Sequence, residues 1–287
     1  MFEFPESWVV GPLVSKWIDG AVDWLVINGD AVFSGIKDGL LRGLLLPMDR
    51  FLLWLPWWAL VIVTVAVAWK VAGKRIAVIS GVSLIVLGSL GLWDSAMSTL
   101  AIVLASTVVA LGLGIPIGIA AAKSPHFDGV LRPVLDGMQT MPSFVYLIPA
   151  IMLLGIGKVP AVMATVIYAI PPIIRLTSLG IRQVDREVVE AARAFGSTSF
   201  QVLSKVEFPM ALPTIMAGVN QTIMMALAMV VLASMIGAKG LGVEVLNGLA
   251  RLEVGRGFLG GVGIVIMAII LDRISQGLAK PHRARST

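Results

Sequence analysis

REVVEAARAFGSTSFQVLSKVEFP, running from Arg186 to Pro209, lies in the one long polar stretch of a chain that is otherwise strongly apolar. Val188, Val189, Ala192 and Phe195 give a short helix an apolar edge, while Arg186, Glu190 and Arg193 keep its other side wet. Gly196 follows where that helix must end, and glycine accepts the left-handed turn used there at no steric cost. Ser197 or Thr198 is then placed to cap a second helix through Phe200, Val202, Leu203 and Val206. The spacing predicts a helix-turn-helix knob rigidly joined to apolar chain on both sides. The competing reading is an amphipathic hairpin lying flat on a membrane surface.

Outward from the knob the sequence divides into seven apolar segments, at about 51–69, 76–93, 95–122, 137–157, 159–174, 208–238 and 257–279. The first six contain no Asp, Glu, Lys or Arg, and the seventh is uncharged until Asp272 and Arg273. Of the 287 residues 57% are hydrophobic and only 14% are charged, against about 25% charged in soluble domains. A membrane-crossing helix needs about 20 residues. The composition therefore predicts an all-α integral membrane protein of about seven transmembrane helices. The short fifth segment is expected to extend past Arg175, with that side chain snorkelling.

Lys and Arg set the expected orientation. With the first span running inward, Lys70, Lys74, Arg75, the stretches 123–136 and 175–207, and the chain from Asp272 onward lie inside. Those regions hold 14 of the 22 Lys and Arg, and net charge divides as +7 inside and −2 outside, which gives the overall +5. The positive-inside rule then places the N-terminus outside and the C-terminus in the cytoplasm. Residues 1–50 form an external or interfacial amphipathic region, 51–279 the transmembrane body with a cytoplasmic loop at 182–207, and 280–287 a basic cytoplasmic tail. Within 1–50, Leu13, Val14, Trp17, Ile18, Ala21, Trp24 and Leu25 recur at helical spacing opposite Lys16, Asp19 and Asp23. A second amphipathic stretch follows through Phe33, Ile36, Leu40 and Leu44. Such helices lie on the outer membrane surface or pack against the protein's own outer face, and both arrangements remain open. Glu3 and Glu6 near the start, with no basic n-region, predict no cleavable signal peptide.

The spans carry further signals. Gly112, Gly114, Pro116 and Gly118 in the third are read either as a hinge or as a small-residue surface for close helix packing. Pro142, Pro149, Pro160, Pro171, Pro172 and Pro213 are expected to break the later spans repeatedly. Trp54, Trp57, Trp58, Trp69 and Trp93 fall at span ends, as an interfacial belt would. Asn220, Gln221 and Thr222 in the sixth span, and Gln139, Ser143 and Tyr146 in the fourth, are polar groups at membrane depth. They either line a wet pathway or hydrogen-bond helix to helix. Met224 with Met216, Met225, Met229 and Met235 forms either a soft pathway wall or a packed, lipid-facing stripe.

Several classes are excluded. The chain has no cysteine, so no disulfide or thiolate chemistry is possible. His126 and His282 sit in stretches that read as solvated loop and tail, and no metal site is expected. No intramembrane His or paired carboxylates support a hydrolase. The absence of acids from the first six spans, and of a convincing internal repeat, weighs against an ion-coupled secondary carrier. No Gly-x-x-x-x-Gly-Lys-Ser/Thr phosphate loop is present, so this chain does not handle ATP.

Glu190-Ala191-Ala192, three residues, Gly196, nine residues, then Val206-Glu207-Phe208-Pro209 resembles the signature of ABC-importer permeases in spacing and in placement before the penultimate span. MQTMPSFVYLIP at 138–149, NQTIMMALAMVV at 220–231, MIGAKGLG at 235–242 and GGVGIVIMAIILDR at 260–273 resemble the permeases for glycine betaine, proline betaine and choline. The likeness runs from about 95 to 279, and VDWL at 22–25 is similar too. It implies a type I ABC-importer permease fold and a homodimer in a bacterial inner membrane. It also implies two cytoplasmic ATPase subunits that bind ATP and Mg, and a separate external substrate-binding protein. Translocation by alternating access follows, with Glu190, Ala191, Ala192, Gly196 and Pro209 in the ATPase-coupling loop. The same likeness implies a non-catalytic chain without a cofactor of its own. A permease for another small solute, such as an amino acid, is the alternative, and a secondary carrier the more distant one.

Overall fold

A computed structural model describes residues 10–279, and the tail with His282 and the reading of Met1 to Ser7 fall outside the described residues. Among the described residues the chain is helical throughout, without strands. The elements are α1 (Gly11–Leu40), a π turn (Leu41–Leu45), α2 (Leu46–Trp54), α3 (Trp57–Ala72), α4 (Lys74–Ser89) and α5 (Trp93–Lys123). Then come α6 (Pro125–Thr140), a 3₁₀ turn (Ser143–Tyr146), α7 (Leu147–Leu154), α8 (Lys158–Arg182), α9 (Arg186–Ala194) and α10 (Ser199–Val202). A second π turn (Leu203–Glu207), α11 (Phe208–Ala228), α12 (Val230–Met235), α13 (Leu241–Ala250) and α14 (Val254–Ala279) complete the chain.

All seven apolar segments are helical, but not all are straight. By length and composition α5, α8, the continuous Ser199–Met235 helix and α14 can each cross a membrane. Two further apolar helix pairs are sharply bent, each a broken span or a re-entrant loop: Gly11–Trp54 meets Trp57–Ala72 at 105°, and Pro125–Thr140 meets Ser143–Leu154 at 108°. Segment 76–93 becomes α4, whose 16 residues measure about 24 Å and pack back on α3. The two amphipathic stretches of the N-terminal region join into one helix that runs to Trp54, and the first span begins only at Trp57. The break sits at Leu55-Pro56, because proline cannot continue the ladder and restricts the residue before it.

The expectation that prolines break the later spans repeatedly is met only at Pro142, between α6 and the 3₁₀ turn. Pro116, Pro171, Pro172 and Pro213 sit inside intact helices. Pro149 and Pro160 lie in the first turns of α7 and α8, where the backbone N–H has no intrahelical acceptor to lose. His126, read as a loop residue, lies in the first turn of α6 behind the Ser124 cap. Trp54, Trp57, Trp58 and Trp69 are more than half exposed near helix ends, and Trp93 is half-buried at the start of α5.

Two apolar clusters form the core, one between α5, α7 and α8 and the other between α3, α4, α5 and α14. At Gly114 an added Cβ would lie 2.4 Å from Ile173 Cγ2, and at Gly118 2.6 Å from Thr177 Cβ. Both contacts advance by four along each chain, so α5 and α8 run parallel with their backbones close. Of the two readings of Gly112 to Gly118, close packing is the one seen for Gly114 and Gly118, whereas Gly112 faces open space. Gly180 meets Ala211 and Thr214, and Gly218 meets Leu176 and Ile173, so α11 runs antiparallel to α8. Gly277 of α14 approaches Val71 of α3.

These contacts sort the helix ends. One end gathers the C-termini of α3, α5, α8 and α14. The other end is held by Gly157 N–H donating to Ile236 O at 2.9 Å, Leu241 N–H donating to Thr99 Oγ1 at 2.8 Å, and Lys158 paired with Asp49 at 2.7 Å. That last pair is largely buried and locks α2 to the start of α8. Breaking such a pair on one side strands a buried charge.

Candidate functional site

The stretch at 186–209 forms a knob at the first of these ends. Asp185 Oδ1 accepts from Glu187 N–H at 2.9 Å and opens α9. Gly196 has φ of 81°, the left-handed conformation that closes the helix. Of the two cap candidates, Thr198 serves: its hydroxyl accepts from Gln201 N–H at 3.3 Å. Gln201 Oε1 accepts in return from Thr198 N–H at 2.8 Å, a complete capping box. Phe195 is 92% exposed and Phe200 76%, while Val202 is buried at the knob's base. Glu190, Ala191, Gly196 and Pro209 are exposed and Ala192 half-buried. The second knob helix does not stop before the sixth span. It passes through the π turn into α11, and the widened turn falls just ahead of Pro209, where the regular ladder is interrupted.

The root of the knob is tied by charges that sequence reasoning did not pair. Glu207, with only 7% of its side chain exposed, bonds to Lys123 at the end of α5. Arg182 donates to the Ala121 carbonyl and pairs with Asp128 of α6 at 3.0 Å. Asp128 also accepts from Arg132 at 2.7 Å. Deeper in, Arg175 pairs with Asp136, and α8 continues past it to Arg182, as expected of the short fifth segment. Lys123 and Glu207 are 84 positions apart. Only the helix packing brings them together, and each read alone as a charge at a span end.

The six polar residues singled out at membrane depth separate into two groups. Gln139 is exposed at the end of α6, Ser143 half-buried, and Tyr146 buried at the break before α7. Tyr146 donates to Met138 O, and its ring lies 6.2 Å from that of Tyr168. On α11, Asn220 donates to Asp272 Oδ1 at 2.9 Å and accepts from Ser275, so it ties α11 to α14. Thr222 is buried, with its hydroxyl finding no acceptor on the protein. Gln221 and Met224 stay exposed, whereas Met229 is fully buried in the core.

A knob of two capped helices thus projects from one end of an apolar, multi-helix bundle. The family model for the binding-protein-dependent transport system inner membrane component matches residues 114–281. The chain is 48% identical over 275 residues to the glycine betaine/proline betaine transport system permease protein ProW of Escherichia coli (strain K12), covering 95% of this chain and 77% of that one. It is 47% identical to the glycine betaine/carnitine transport permease protein GbuB of Listeria monocytogenes, with 95% and 97% covered. To the glycine betaine transport system permease protein OpuAB of Bacillus subtilis the identity is 44%, with 93% and 95% covered. Inward-facing structures of the MetNI methionine ABC transporter align with a TM-score of 0.58 at 20% identity, over 67% of this chain and 95% of that one. The fold is that of a type I ABC-importer permease. The chain belongs to the binding-protein-dependent transport system inner membrane components, and it is a multi-pass inner-membrane permease subunit of an ABC importer.

Proposed function

We propose that two copies of this chain form the membrane channel of an importer for glycine betaine or a close quaternary ammonium relative, proline betaine or choline. Separate ATPase subunits on the cytoplasmic side bind ATP and Mg and drive alternating access, and an external binding protein delivers the cargo. The observation that carries this reading is the identity of 44–48% to three glycine betaine permeases over more than nine-tenths of the chain. Phe195 and Phe200, exposed beside Glu190 and Arg193, supply the apolar anchors and polar rim of a protein docking surface. Glu190, Ala191, Ala192, Gly196 and Pro209 are the coupling residues in this reading. Gln139, Ser143, Tyr146, Gln221 and Met224 are the pathway candidates, with Asn220 and Thr222 behind them. Cells lacking other osmolyte importers are expected to accumulate radiolabelled glycine betaine or choline only when this chain, its ATPase and its binding protein are all present. Uptake that survives loss of the ATPase would point to a secondary carrier, and competition by an amino acid instead of betaine to the alternative cargo.

The knob end is the cytoplasmic end in this reading. Lys70, Lys74, Arg75, Lys123, Arg132 and Arg182 collect there, as the positive-inside rule asks. Reporter fusions within 182–205 and after Lys74 should both give a cytoplasmic signal. A reporter within 182–205 that reads outside would reverse the orientation and remove the coupling role with it.

A further inference from the structure

Along the knob-side half of α8, two acid–base pairs reach across to α6, and they are not equivalent. Asp128 is only 12% exposed at its side chain and is held twice, by Arg182 and Arg132. Asp136 is 64% exposed and its ion pair is with Arg175 alone. Arg175 spends Nη2 on that carboxylate, while its Nε is buried and finds no acceptor on the protein. Both pairs border one cavity of about 440 Å³ whose walls are otherwise mostly apolar, from Leu131, Leu135, Ile174 and Leu179, with Ser178 and Arg132 also lining it. Seven residues of helix separate Arg175 from Arg182, which puts Arg175 about 10 Å further into the bundle.

A guanidinium is a rigid fork, and carboxylates engage it through two parallel N–H groups. Here one side of the fork is used and the other is buried and idle. A partly desolvated donor without an acceptor is costly, more so at membrane depth. The exposed Asp136 carboxylate next to it offers a counter-charge of opposite sign within one cavity.

We propose that Arg175 and Asp136 form a subsite for a small zwitterion at the inner end of the pathway. The cargo carboxylate takes the Arg175 fork through Nε, and the cationic end takes Asp136 and the apolar wall. The two side chains thereby exchange their mutual pair for one cargo charge each. A bare cation meets Arg175 unpaired, and a bare anion meets Asp136 unpaired, so only a molecule carrying both charges leaves neither stranded. When cargo departs the pair re-forms, which keeps the site weak enough to release. This inference rests on the betaine reading of the cargo.

The test uses the permease–ATPase complex in nanodiscs without the binding protein, titrated calorimetrically with glycine betaine, choline and acetate. Wild type should bind glycine betaine at least tenfold more tightly than either single-charge analogue. Arg175→Gln should bring glycine betaine down to the choline level, and Asp136→Asn to the acetate level. Arg175→Lys, which keeps the charge but loses the fork, should fall between and serves if the glutamine variant fails to assemble. Absence of the betaine preference in wild type, or its survival in Arg175→Gln or Arg175→Lys, overturns the subsite. Uptake by the wild-type complex with its binding protein, run in parallel, separates the two ideas. Normal betaine uptake without the binding preference rejects the subsite alone, and absent uptake rejects the cargo.

Discussion

Gly118→Leu is expected to remove at least nine-tenths of the folded protein from the membrane. A Cβ at this position would lie 2.6 Å from Thr177 Cβ and 2.7 Å from the Ile174 carbonyl oxygen. The second of these is backbone in the middle of α8, so no side-chain rotation relieves it. Separation of α5 from α8 would be needed, and that opens the pair on which the larger apolar cluster is built. Core overpacking costs about 1–3 kcal/mol when side chains can adjust, and here the obstacle is main chain. Gly112→Leu, on the same helix but with nothing within 4 Å of its added Cβ, is the matched control and should be tolerated. The measurement is yield in the membrane fraction together with a monodisperse size-exclusion peak. Equal yields from the two variants would show that α5 and α8 do not approach closely at Gly118.

Gly196→Val is expected to cost about tenfold or more in ATP-driven uptake while the protein still inserts. Its φ of 81° strains a β-branched residue by roughly 1–2 kcal/mol. Nothing lies within 4 Å of the added Cβ, so the whole effect comes from the backbone. Asn, which tolerates this conformation, should restore most of the transport. Glu190→Ala leaves the knob's shape alone and should mainly lower the amount of ATPase that co-purifies. Proteoliposome uptake and the ATPase complement are the readouts. Full transport by the valine variant with a normal complement would mean that the knob is not the coupling element, and loss of the protein from the membrane would mean that it serves folding.

The knob was readable from local chemistry because each of its determinants is local. An apolar edge, a glycine and a hydroxyl cap act within a few residues of one another; the turn at Gly196 and the cap at Thr198 appear as read, and the structure adds the reciprocal Gln201 bond. The bends were less readable. Pro142 breaks a helix and Pro171, Pro172 and Pro213 do not, because a proline in the interior of a packed helix loses one hydrogen bond that surrounding contacts can outweigh. Local sequence does not record those contacts. The same holds for Lys123 with Glu207, Arg175 with Asp136, and Asn220 with Asp272. In each case the residue type announces a need for a partner, but only the packing of α5 on the start of α11, of α8 on α6 and of α11 on α14 chooses it. Asn220 shows the limit clearly: from sequence it could equally have faced water.

The helical stretch from Ser199 to Met235, with its π turn at Leu203–Glu207 and one-residue break at Met229, has 37 residues, a rod about 55 Å long. Its first turn belongs to the knob, and its last reaches the opposite end, where the Ile236 carbonyl accepts from Gly157 N–H. A rod has one angular coordinate where a jointed arm has several. If it pivots near its middle, a tilt of about 10° carries each tip roughly 5 Å in opposite directions over that length. No loop lies between the tips, only the π turn and the break at Met229. Opening on one face and closing on the other then become one displacement, and their phase is set by geometry alone.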